Sequence, residues 1–215
     1  MRFVIMTTHA NTHHTSKRSA TLAAMGGAAA LLGGLLGAAA AYMESLAPKG
    51  SPGVYRVTTP MVAALAVSSI LLAIIGLLGL AVLARAKGRS YWAAITAAAL
   101  VAAGVASLTA FSVLLAGTAS ESWGWWVFGF AGFTGMWIGL VVGGVHALVT
   151  RVVPRWAGIA ATVTSVVLPL FNTETAAVLF AVPAALAWAL VGGLMLREAW
   201  GALDFGHGHA PAVGA

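Results

Sequence analysis

The sequence predicts an all-α polytopic membrane protein: a bundle of six transmembrane helices with both termini in the cytoplasm. Three observations carry this. Of 215 residues, 60% are hydrophobic and only 7% charged, whereas a soluble domain carries about 25% charged residues. The charged residues are segregated, leaving uncharged windows at 19–43, 57–84, 90–120, 122–150, 156–173 and 175–196. The basic residues fall unequally on alternate connections. Each window can hold a helix crossing a hydrocarbon core of about 30 Å at 1.5 Å rise per residue. In lipid every backbone amide must be paired internally, so each window is expected to be one helix.

The expected spans are 20–43, 60–84, 91–117, 123–149, 156–172 and 175–196, flanked by disordered cytoplasmic tails at 1–18 and 199–215. The first follows Lys17 and Arg18. A signal peptide is its rival reading, because small residues Ala39 to Ala41 close the run, but the run is longer than an ordinary signal core. Met6 is an alternative start to Met1. The second span opens with Thr58-Thr59-Pro60, a helix start in which Thr caps and Pro sits where no amide bond is lost. The third begins at the aromatic pair Tyr91 and Trp92, which suit the headgroup level.

The fourth span opens with Trp123, Trp125, Trp126, Phe128 and Phe130, a membrane belt or, more sharply, a stacking site for a ligand. Gly132, Gly135, Gly139 and Gly143 then form one stripe, which predicts a helix packed closely against neighbours. The fifth window is short and Pro169 interrupts its end, so a re-entrant segment rivals a full span. The sixth carries Ala181, Ala185 and Ala189 at four-residue spacing and is expected to kink at Pro183, at a gate or as a static bend. Such small-residue faces serve packing inside the bundle or an interface with a partner or a second copy.

Orientation follows from the charges. With the N-terminus inside, Arg2, Lys17, Arg18, Arg85, Lys87, Arg89, Arg151, Arg155 and Arg197 lie inside, and only Lys49 and Arg56 outside. That is the positive-inside pattern. The net charge of +6 is read as orientation rather than nucleic-acid binding, because no soluble surface gathers it into a footprint.

The chemistry is sparse. No cysteine is present, which excludes disulfides, iron–sulfur clusters and thiolate sites. No zinc-protease, serine-hydrolase or phosphate-loop motif occurs, so neither an enzyme nor a cofactor is expected. His146 is the one intramembrane candidate, as a hydrogen-bonded or snorkelling side chain, a proton carrier or a metal ligand. His9, His13 and His14, with His207 and His209, are weak metal candidates in the two tails. Glu44, Glu121 and Glu174 share the outer level as solvated carboxylates or a cation site.

The turn Arg151-Val152-Val153-Pro154-Arg155-Trp156, with a last helix running from Trp188 to Arg197, resembles uncharacterised six-helix bacterial membrane proteins of unknown function. The resemblance covers about the C-terminal third, implies a family of unknown function and carries over no catalytic residue; the expected location is the bacterial plasma membrane. The expected function is a non-catalytic accessory or scaffold subunit. A small transporter or channel is the alternative and a membrane enzyme the third reading. The expected partners are the bilayer and a membrane protein or second copy.

Overall fold

The computed structural model describes residues 4–48, 59–115, 125–170 and 176–204. They form α1 (Val4–Leu46), α2 (Pro60–Ala86), α3 (Trp92–Leu115), α4 (Ala131–Thr150), α5 (Arg155–Val166) and α6 (Ala181–Asp204). A π-helical turn (Trp125–Phe130) leads into α4; 3-10 turns follow α5 (Leu168–Leu170) and precede α6 (Ala176–Phe180).

Five stretches are long and apolar enough to cross a membrane: Lys17–Leu46, Pro60–Ala86, Trp92–Val113, Val127–Thr150 and Ala177–Ala202. Large apolar side chains point outward from them, among them Leu71, Ile75 and Leu78 on α2 and Val149 on α4. In water such a belt would be an association hazard. Helices apolar on every side belong in lipid.

Local chemistry sets several boundaries. The Thr59 hydroxyl accepts the Val62 amide at 3.3 Å, and Pro60 is the first residue of α2. Arg151 ends α4 in the left-handed region at φ 53°, a conformation costing a side-chain-bearing residue about 1–2 kcal/mol. Pro154 then caps the start of α5.

Two segments differ from expectation. The fifth span was expected over 156–172, yet α5 has 12 residues and gives way to the 3-10 turn. Pro169 explains this: it disfavours α geometry at Leu168 and supplies no amide to the ladder. The tail at 1–18 was expected to be disordered, but from Val4 the backbone continues α1. Once the apolar run nucleates a helix, extending it adds one hydrogen bond per residue ordered. Likewise α6 carries the helix to Asp204, into the expected C-terminal tail.

The helices form a ring in chain order: each packs on the next, and α6 closes on α1. Neighbours around the ring run antiparallel. Gly26 and Gly79 bring α1 and α2 into backbone contact, so a Cβ on either would strike the other's Cα. Gly27 and Gly34 do the same for α1 on α6, against Gly192 and Ala185. Apolar burial itself gains little in lipid, so these van der Waals approaches hold the bundle.

This pairing gathers the described basic side chains at one end. Lys87, in the α2–α3 turn, bonds Glu198 on α6 at 2.7 Å and the Val152 carbonyl in the α4–α5 turn at 3.2 Å. Arg85 lies 5.4 Å from the centre of the Tyr91 ring, which stacks on Trp92. Exposed Trp92 and Trp156 lie at the same end, the position the aromatic pattern predicts.

Candidate functional site

The two ends of the bundle are built differently. Towards the basic end the interior is solid: Leu80, Ala84, Ala147, Val191 and Met195 are at most 1% exposed. Towards the other end, where α1 finishes just beyond Glu44, the helices line a half-open cavity of about 360 Å³. Small-molecule pockets run from about 300 to 1,000 Å³.

One wall of the cavity is α1, whose Gly33, Gly34, Gly37, Ala40 and Ala41 make it narrow and smooth. Across from it stand Phe133, Met136, Trp137 and Leu140 of α4 and Trp188 of α6. The lining extends down α1 from Glu44 to Ala30, fourteen residues further along the helix, or about 21 Å. Its floor is Leu77, Val101 and Trp188, resting on the solid core. The lining side chains that carry a polar group are Glu44, Ser69, whose hydroxyl lies beside Gly37, and the two indoles.

The indoles are neutralised by one residue. Trp137 Nε1 donates to the Ser165 carbonyl at 2.9 Å, and Trp188 Nε1 donates to Ser165 Oγ at 3.2 Å. Ser165 is fully buried near the end of α5. Its carbonyl lies in the last turn, approached by the Val167 cap amide, while Pro169, four residues on, has no amide to give it. A buried indole needs such a partner. The node leaves only ring surface facing the cavity, so the wall is apolar.

The residues singled out from the sequence are distributed as follows. Gly132 and Gly139 bear on α3: a Cβ at Gly139 would stand 2.7 Å from Val101 Cγ2 and 2.8 Å from the Ala97 carbonyl. Gly135 faces Leu100 and Gly104 of the same helix. Gly143 receives Leu77 and Trp188, while Gly144 packs on Thr162 of α5. Ala185 and Ala189 meet Gly34, and Ala181 and Ala185 line the cavity. These faces are occupied within the bundle. Farther along the same row Gly193 has nothing within 4 Å, because a four-residue row turns about 40° per step around a helix of 3.6 residues per turn.

Pro183 differs from expectation. It lies in the first turn of α6, exposed and away from the cavity. Its missing amide falls where a helix start leaves amides unpaired, and the irregularity is the preceding 3-10 turn.

His146 is 4% exposed, and its Nε2 has no hydrogen-bond partner. Thr150 donates to its carbonyl at 2.6 Å. His9, His13 and His14 lie on the first turns of α1, with side chains outside the described residues, as are His207, His209, Glu121, Glu174 and the Trp123, Trp125 and Trp126 side chains. Among the described residues no group of three His, Cys, Asp or Glu could hold a metal ion.

Sequence reasoning missed Ser165 as an anchor, Gly104 as the partner of the α4 stripe, and the cavity itself. Ser165 carries only a weak signal, a hydroxyl in an apolar window that ends at a proline. Comparison with known proteins adds no family: no protein-family model, no curated protein and no solved structure matches the chain.

Proposed function

We propose that the chain is a six-span protein of the bacterial plasma membrane, with both termini in the cytoplasm, acting as a non-catalytic accessory or scaffold subunit rather than a conduit. The observation that carries this reading is the blind, apolar cavity above a solid core. A pathway for ions needs polar lining and ionisable side chains at membrane depth, and the cavity offers one hydroxyl below the level of Glu44.

The basic end supports the orientation, since cytoplasmic connections collect Lys and Arg. The sixth crossing is supported by the Lys87 contacts. They hold the α4–α5 turn and the far end of α6 together, which fits a chain that crosses once more between them.

Reconstitution in liposomes tests the conduit question. Proton and potassium flux is expected at the level of protein-free vesicles; flux above it overturns the reading. For orientation, Ser45→Cys and Ser90→Cys serve on a chain with no native cysteine. Ser45→Cys is expected to label from outside intact cells and Ser90→Cys only after permeabilisation. The reverse pattern overturns the topology.

A further inference from the structure

We propose that the cavity holds one acyl chain of a bilayer phospholipid, with the headgroup at the level of Glu44. The inference rests on the reading of the cavity as a blind receptacle.

Three features select this occupant. The wall is hydrocarbon and aromatic surface, because Ser165 takes both indole N–H groups out of play. Water has almost no partners there and does not fill an apolar space, whereas the surrounding solvent is itself acyl chain. The shape fits a linear chain: a groove of Gly and Ala along α1 faces Met136, Leu140 and Trp188. Its depth, about 21 Å along α1, takes a chain from the headgroup level through one leaflet, half of a core about 30 Å thick. Charge is confined to the rim, where Glu44 sits, and an amphiphile has the same polarity.

The floor decides against through-passage. Beneath Leu77 and Trp188 the packed side chains of Leu80 and Val191 are fully buried, so a chain that enters stays within one half of the bundle. An occupied cavity also gives the aromatic wall the van der Waals partners that an empty one withholds.

Photocrosslinking tests this on the whole protein, reconstituted in phosphatidylcholine vesicles carrying a diazirine midway along one acyl chain. Opposite faces of α4 separate the outcomes. Met136 and Leu140 line the cavity, whereas Ile138 and Val145 are exposed on the outside of the bundle. Adducts are expected on both pairs and on Trp188, which is 8% exposed. Ala73→Leu places new volume in the lining. It is expected to lower the Met136 and Leu140 yield about tenfold, the steric effect of overfilling the groove, and to leave Ile138 and Val145 unchanged.

Adducts confined to Ile138 and Val145 in the parent overturn the proposal. Equal yields at Met136 in parent and variant overturn it as well, because the label then arrives by another route. Unchanged Ile138 and Val145 labelling shows that the variant is folded; should that labelling change, Ala66→Leu, nearer the rim on the same lining, replaces it with the same expectations. Flux in the liposome assay would instead sink the receptacle reading while leaving the crosslinks in place, so the two failures are separable.

Discussion

The same substitution at two glycines is expected to have opposite effects. In Gly139→Ala the new methyl would stand 2.7 Å from Val101 Cγ2 and 2.8 Å from the Ala97 carbonyl. Val101 and Ala97 are at most 1% exposed and have no space to retreat into. Ordinary contact begins near 3.4 Å, so α3 and α4 must separate by about 0.6 Å along that line, and overpacking of this kind costs about 1–3 kcal/mol. Gly193→Ala meets nothing within 4 Å and changes only helix propensity, worth about 1 kcal/mol in its favour. That propensity gain is common to both variants and cancels in their difference. The difference is therefore the packing cost alone. With about 2–4 °C per kcal/mol for a chain of this size, Gly139→Ala is expected to melt roughly 2–12 °C below Gly193→Ala in the same detergent. Equal melting temperatures, or a higher one for Gly139→Ala, would refute close packing of α4 on α3.

Ser165→Ala leaves the Trp188 indole N–H buried without its partner at 3.2 Å; a loss of about 1–3 kcal/mol is expected, with a shift in tryptophan emission, and a parent-like melt and spectrum would count against the node. Thr59→Ala removes the cap of α2 and should cost about 0.5–2 kcal/mol; hydrogen exchange should quicken at Val62, and unchanged protection there would show the cap to be idle. Lys87 and Glu198 are 38% and 34% exposed, so a double-mutant cycle with Lys87→Met and Glu198→Gln should give no more than about 1 kcal/mol, fading with salt. A larger, salt-independent coupling would make the pair a principal clamp of the basic end.

Where a signal was local, the sequence showed it before the fold was known. Thr59 and Pro60 start α2 where capping chemistry puts the boundary, and Pro154 follows the break at Arg151. The spacing of Gly132, Gly135 and Gly139 marked a face for close approach, and that face bears on α3. The short fifth window warned of an incomplete helix, and Pro169 makes it so. Ser165 and Gly104 stayed illegible for one reason: their partners are far away in the chain. Ser165 joins Trp137 and Trp188 from three helices, and nothing in its neighbours announces Gly104.

Composition and charge spacing by themselves determined the solvent, the all-α class and the alternation of connections rich and poor in Lys and Arg, because a bilayer forbids both unpaired amides and stray charge. The tertiary structure alone decided which glycines touch, that α6 closes the ring on α1, and that one half of the bundle is solid and the other hollow. Lipid is as apolar as leucine, so a membrane helix carries no strong contrast between its inner and outer faces. Rotation and crossing are settled only when two backbones meet, as Gly26 and Gly79 do here.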